Sequence, residues 1–287
     1  MTDVDRSREP VPRHRPAQGS DEPRRLDVEL VQRGLARSRG EARELVRAGG
    51  VRVDGEVVTK ASRGIAPHAE VEVHRGERGQ WVGRAAYKLL AGLDRFGVDV
   101  RGRRCLDVGA STGGFTQVLL ERGAREVVAV DVGHGQLAAP VASDPRVRER
   151  SGTNVRDLAP GDIGGPADLV VADLSFISLR VVLARLAELT APDGDLLVLV
   201  KPQFEVGRER LGKGGLVRDH RDRRAAVRDV AAEAADCGLH VVDGCPSPIA
   251  GGSGNREYLL WLRRGGGGMM SGPNLTRAVE QWMREED

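Results

Sequence analysis

The sequence predicts an α/β protein in two parts, a small α+β unit followed by a larger, mainly parallel, doubly wound sheet. Three observations lead there. Residues 24–75 hold two stretches of helical apolar spacing and then short alternating strands. From Arg84 onward, apolar runs of strand length alternate with helical stretches, the pattern of a sheet covered on both faces. The Gly-bearing stretch 76–83 separates the two and reads as a linker. With 287 residues, 40% of them hydrophobic, the chain can build one large domain and one small one.

Residues 1–23 are rich in Pro, Arg, Asp and Ser and nearly lack apolar side chains, which predicts a disordered tail. Leu26, Leu30, Val31 and Leu35 then recur at helical spacing, with Gly34 near the stop. Ser38 and Glu41 have the spacing of a capping box, so a second helix opens there. It turns Ala42, Leu45 and Val46 inward and ends at Gly49-Gly50. Residues 51–53, the turn Asp54-Gly55 and residues 56–58 predict a hairpin, and 69–73 one further strand. Arg33, Arg37, Arg39, Arg43 and Arg47 fall on or beside the second helix. Arg39, Arg43 and Arg47 share a face by their four-residue spacing. Such a face suits either solvent, balanced by Glu41 and Glu44, or the phosphates of a nucleic acid.

The larger part opens with a helix over 84–96. Strands follow at 104–107, 126–131, 147–150, 168–173 and 195–200, then a long helix over 221–236 and strands at 240–242 and 257–263. Seven strands with an adjacent late pair suit the methyltransferase variant of the Rossmann architecture. Residues 265–287 read as a Gly linker and a short amphipathic helix carrying Leu275, Val279, Trp282 and Met283. Trp81, a large aromatic at the linker, is expected to pack on one neighbour.

Residues 105–115 combine a strand, a Gly-rich turn and a helix start. Gly109, Ala110, Ser111, Thr112 and Gly113 let the backbone approach a ligand, and Phe115 sits in the helix that follows. Turns of this kind also join strands to helices in many ordinary folds. The context adds to it. Asp131 closes the next strand, placed to accept hydrogen bonds from a ribose diol, and Asn154 follows the third, where it can meet an adenine edge. The turn is not the Gly-x-Gly-x-x-Gly of nicotinamide cofactors. S-adenosylmethionine fits the set best.

Four residues are the candidates for chemistry: Lys88, Asp173, Lys201 and Glu257. Asp173 and Lys201 end apolar strands, so both emerge at the carboxyl edge. Glu257 starts a strand expected to run antiparallel, which puts it at the same edge. Lys88 lies on the helix before the first strand, near Arg84. Each also has an ordinary reading as a turn former, a strand cap or a solvated flank. Only four lysines occur among 44 basic residues, and two of them sit in this set. Arginine cannot act as a proton acceptor, whereas a lysine in a poorly solvated cleft near another cation can lose its proton and act as a base. Methyl transfer to a ribose hydroxyl needs such a base as the in-line displacement proceeds. Lys201 is the expected base, Lys88 the tuning cation, and Asp173 and Glu257 orient them.

The segment "LVQRGLARSRGEARELVRAGGVRVDGEVV" resembles the RNA-binding domain named after small-subunit ribosomal protein S-four. That resemblance favours the phosphate-binding reading of the arginines, with Arg84 added from the second part. The Lys-Asp-Lys-Glu set is similar to that of the FtsJ-like RNA 2′-O-methyltransferases. With "GASTGGFT", "VVADLSFISL", "VKPQFEVG" and "GNREYLLWL" behind such a module, residues 24–263 resemble the TlyA family. The resemblance implies a seven-stranded Rossmann-like methyltransferase domain over 84–264 behind an RNA-binding domain over 24–75. It implies methylation of the cytidine 2′-hydroxyl in large-subunit ribosomal RNA, often in the small subunit too, with ribosomal RNA or ribosomal subunits as partner and no obligate protein partner. The tail has no counterpart in that family, and Gly79-Gln80-Trp81-Val82 departs from its Arg-Ala-Trp-Val form.

Other classes fit less well. A net charge of +2 shows no overall basic character, so any nucleic-acid footprint is local. Cys105, Cys237 and Cys245 form no Cys-x-x-Cys pair, which fits a reducing compartment without a disulfide framework or metal site. No apolar run approaches the ~20 residues of a membrane helix, and the polar start does not read as a signal peptide. A cytoplasmic protein is expected. Base methylation would call for a Pro-Pro motif after Asp173 or a cysteine at the end of the fourth or fifth strand, and neither is there. Proteins of this resemblance have also been called haemolysins, and a cofactor-binding ribosome-assembly factor without catalysis is a third alternative. Gln203 to Val217, with Arg208, Arg210 and Lys213, suits a basic lid or an ordinary loop, and 251–255 a mobile approach to Glu257.

Overall fold

The computed structural model describes residues 23–36, 38–47, 51–58, 60–73, 81–265 and 270–285. Most of the tail, Arg37, the helix end at Gly49-Gly50, residues 76–80 of the first linker and 266–269 of the second lie outside the described residues. The chain divides into two units, Met1–Gln80 and Trp81–Asp287.

In the first unit, β1 (Arg24–Arg25) runs straight into α1 (Leu26–Gln32). The second helix, α2 (Arg39–Arg47), opens where expected, with the N–H of Glu41 donating to Ser38 Oγ at 3.2 Å. Strands β2 (Val51–Val53) and β3 (Glu56–Val57) form the hairpin around Asp54-Gly55. A two-residue strand, β4 (Gly64–Ile65), pairs with β1, and β5 (Val71–Val73) pairs antiparallel with β2. Leu26, Leu30, Ala42, Val46, Val51 and Val53 are buried together between the helices and this small sheet. Each of these Leu and Val side chains contributes roughly 1.5–3 kcal/mol by burial.

The second unit begins at Trp81, which packs beside α3 (Ala86–Phe96). There follow β6 (Arg104–Val108), α4 (Gly114–Glu121), β7 (Glu126–Val130), α5 (Ala139–Ala142), β8 (Val147–Arg150) and β9 (Ala167–Ala172). Next come α6 (Leu183–Leu189), β10 (Thr190–Val200), α7 (Pro202–Glu205), α8 (His220–Asp236), β11 (His240–Pro246), β12 (Tyr258–Arg263) and α9 (Gly272–Arg284). The strands form one seven-stranded sheet in the order β11-β12-β10-β9-β6-β7-β8. Its order reverses outward from β6, and β12 is antiparallel to both of its neighbours.

Register determines what gathers at the carboxyl edge. Val108 pairs with Ala172, and Val200 with Tyr258. The next residues out, Gly109, Asp173, Lys201 and Glu257, therefore leave the sheet along adjacent strands. Leu89, Leu93, Phe115 and Leu119 cover one face, while Leu183, Leu186, Val227 and Val230 cover the other. Helix α9 buries Val279, Trp282 and Met283 in that second layer, and Met270 N–H donates to Val241 O at 2.7 Å. The segment after α7 is fastened rather than loose. Val206 and Val217 are buried, and the side chain of Asn255 accepts from Val217 N–H and donates to Gly215 O, each at 2.9 Å.

Candidate active site

Two lysines and two carboxylates meet at the carboxyl edge in a continuous chain. Lys88 Nζ donates to Glu257 Oε2 at 2.7 Å and to Asp173 Oδ2 at 3.4 Å. Lys201 Nζ stands 2.6 Å from Asp173 Oδ1 as an ion pair, while its aligned hydrogen bond goes to Ser175 Oγ at 2.8 Å. All four side chains are at most 12% exposed. Buried charges persist only when paired and hydrogen-bonded, and here each has a partner of opposite sign. Helix α3 brings Lys88 in from outside the sheet. The turn before β12 makes room for Glu257, since a side chain at Gly251 would meet its Oε1 at 2.4 Å.

A cavity of about 440 Å³ joins these residues to the Gly-rich turn. Gly109, Ala110, Ser111, Thr112 and Phe115 line one side; Lys88, Asp173, Lys201 and Glu257 line the other. Gly113 lies in the same turn, outside that lining. Arg84 also lines the cavity, near Gly252 and Ser253. Asp131 and Asn154 both lie outside the lining. Asp131 already accepts from Ser111 N–H and Gly133 N–H, each at 2.8 Å, so it ties the Gly-rich turn to the loop after β7. Asn154 Oδ1 accepts from Arg156 N–H at 3.1 Å and caps a short helical turn. Three further residues lay outside the sequence reading. Ser175 holds Lys201. Phe176, 92% exposed at the cavity and left-handed at φ 64°, lies beside Phe204 with ring centroids 5.3 Å apart. Val132, directly after Asp131, is 67% exposed.

Residues 81–264 match the FtsJ-like methyltransferase family. The chain belongs to the FtsJ-like methyltransferases. Residues 24–71 of this FtsJ-like methyltransferase match the S4 domain. A Mycobacterium tuberculosis protein named 16S/23S rRNA (cytidine-2′-O)-methyltransferase TlyA is 50% identical over 261 residues, 91% of this chain and 97% of that one. Hemolysin A of Brachyspira hyodysenteriae is 36% identical over 236 residues, 82% of this chain and 98% of its own. A solved structure from Streptococcus thermophilus, also bearing the name hemolysin, superposes with a TM-score of 0.73 at 36% identity, over 93% of this chain and 98% of that one. Among the described residues of the methyltransferase, no helix is long and apolar enough to cross a membrane.

The arginines of its first unit divide by partner. Arg33 is engaged inside the unit: it pairs with Glu29 at 2.8 Å and donates to Ala69 O and Pro67 O, with 11% of its side chain exposed. Arg39 and Arg43 both reach Asp27 Oδ2 at 3.1 Å and stay about half exposed. Arg47 closes α2, and Arg37 lies outside the described residues.

Under the Gly-rich turn of the methyltransferase, Asp107 on β6 is wholly buried and accepts from Thr116 Oγ1 at 2.6 Å. Burial pushes its carboxyl up to about 7, against the opposing pull of the Thr116 bond. Between the usual carboxylate value and about 7 the native protein therefore holds a proton that the unfolded chain has lost. Stability contributed by this group is present below the usual value of about 3.9, falls as pH rises through the window up to about 7, and is then level. The difference corresponds to roughly 4 kcal/mol at most. Asp107→Asn keeps an acceptor for Thr116 and has no proton to lose. Urea unfolding of the ligand-free proteins from about pH 5 to 8 is expected to show the variant gaining on the wild type as pH rises. Parallel pH profiles would contradict this.

Proposed function

We propose that this protein transfers a methyl group from S-adenosylmethionine to the 2′-hydroxyl of a cytidine in ribosomal RNA, with Lys201 as the general base. One observation carries the reading: the Glu257–Lys88–Asp173–Lys201 chain shares a single cavity with the Gly-rich turn. The residues fit the cofactor. The close backbone at Gly109, the carboxylate of Asp131 for a ribose diol and the exposed Val132 for an adenine face lie side by side at the sheet's carboxyl edge, where α/β folds bind nucleotides. S-adenosylmethionine supplies an electrophilic methyl group on a sulfonium.

The chain's own residues then divide the task. Lys88 is held by two carboxylates and serves as the anchored cation. Lys201 shares only Asp173 and leans on a neutral hydroxyl, Ser175, so it is the amine better placed to take up the ribose proton as the oxygen becomes a nucleophile. Asp173 and Glu257 fix the two amines about the reacting oxygen. Phe176 offers an exposed ring at the cavity mouth on which the target base can stack. The M. tuberculosis relative is named for both ribosomal subunits. We accordingly take cytidines of the large-subunit RNA, and of the small, as substrates.

The test is to incubate the purified protein with methyl-labelled S-adenosylmethionine and ribosomal subunits from cells lacking the gene, then digest the RNA to nucleosides. Label in 2′-O-methylcytidine is the expected result. Label on a base would replace ribose methylation with base methylation, and no label in either subunit would overturn the reading.

A further inference from the structure

The first unit has a side-chain cluster built around Asp27. This carboxylate sits in the first turn of α1 with its side chain fully buried. Three guanidinium groups converge on it: Arg25 through Nε and a terminal nitrogen at 2.9 and 3.2 Å, Arg39 through one terminal nitrogen at 3.1 Å, and Arg43 through Nε at 3.1 Å. The arginines hold its carboxyl well below the usual carboxylate range, with the Arg25 hydrogen bond the largest cause. Their own side chains remain 45–53% exposed.

A single Asp–Arg pair would be closed and neutral. Three cations on one buried anion leave a surplus of positive charge at the surface, and a guanidinium has five N–H donors, more than any of the three uses on Asp27. Arginines anchored this way have already lost the rotamer freedom that a free side chain gives up on meeting a phosphate. We propose that Asp27 is a positioning residue for RNA binding, fixing Arg25, Arg39 and Arg43 as one phosphodiester-binding surface. This rests on the reading that the first unit binds RNA.

The experiment turns on sign. Removing a negative charge beside a basic surface tightens RNA binding if Asp27 is only a countercharge, and weakens it if Asp27 positions the arginines. The full-length protein is titrated with a fluorescein-labelled RNA hairpin at stepped salt, with melting temperature and S-adenosylhomocysteine affinity as folding controls. Asp27→Asn is expected to bind roughly three- to tenfold more weakly, the size of one or two lost phosphate contacts. The same substitution should cost less in an Arg39→Ala, Arg43→Ala background, where only Arg25 still depends on Asp27. Arg39→Lys keeps the charge without the fork and should lose affinity as Arg39→Ala does. It decides the matter even where Asp27→Asn unfolds the unit, because a helix staple alone leaves Arg39→Lys binding like wild type. Tighter or unchanged binding by a folded Asp27→Asn protein, or wild-type binding by Arg39→Lys, overturns the positioning role. If Arg39→Ala, Arg43→Ala itself leaves affinity unchanged, RNA binding by this surface fails first, and the proposal with it.

Discussion

Lys201→Met is expected to lower kcat by roughly a hundred- to ten-thousandfold, the range for removing a general base. Affinity for S-adenosylhomocysteine should stay near that of the wild type. Met nearly preserves the volume, and Asp173 keeps Lys88 as a partner, so the fold loses one ion pair and one hydrogen bond to Ser175. The companion variant Lys88→Met should behave differently. Its amine satisfies Glu257 and Asp173 together; without it Asp173 keeps Lys201, but the buried Glu257 loses its cation. That class of change costs about 3–5 kcal/mol. Lys201→Met should thus separate chemistry from stability, whereas Lys88→Met should damage both. Single-turnover methylation of ribosomal subunits, with thermal melting alongside, reads the two effects apart. A Lys201→Met enzyme with kcat within threefold of wild type would remove Lys201 from the chemistry.

The sheet was legible because strands covered on both faces are written as unbroken apolar runs, as in residues 169–172 and 196–200. The start of β10 was not. It begins at Thr190, with a register shift before Asp195, and Ala-Pro-Asp-Gly reads locally as a turn. The β1–β4 pairing escaped for a different reason: two-residue strands carry no periodicity and arise from tertiary contact. At the site, strand-end logic located Asp173, Lys201 and Glu257, because register carries a sequence position to a place in space. Ser175 and Phe176 have no such route. They lie in a loop whose left-handed residue no hydrophobic pattern encodes. Spacing likewise could not separate Arg33 from Arg39, since the carbonyls that engage Arg33 come from 34 and 36 residues away. Asp27 carries no mark in the sequence, because its buried role depends on α2 packing across it.

Gly109→Ala should be the most damaging single-methyl change in the second unit, because it strikes the Gly-rich turn proposed to hold the cofactor and the lysine chain together. Gly109 lies at φ +86°, where an L side chain is strained by about 1–2 kcal/mol. The added Cβ would also stand 2.6 Å from the backbone oxygen of Asp173 and 3.1 Å from its carbonyl carbon. Neither atom can swing aside as a flexible side chain would. Asp173 N–H is bonded to Val108 O at 3.0 Å, so relief requires the ends of β6 and β9 to part. That movement carries Asp173 away from Lys88 and Lys201 at the same time as it opens the Gly-rich turn proposed to meet the cofactor. The expected result is a protein less stable by a few kcal/mol. Its affinity for S-adenosylhomocysteine should fall, and its kcat should fall further than incomplete cofactor saturation explains, a loss that persists at saturating cofactor. Ala110, which has a Cβ already, provides the control: Ala110→Ser tests a changed side chain in the same turn without the backbone clash. Should Gly109→Ala bind the cofactor normally and methylate at the wild-type rate, the close approach of β6 to Asp173 would be a packing detail, and cofactor binding and proton transfer would be separable along this edge.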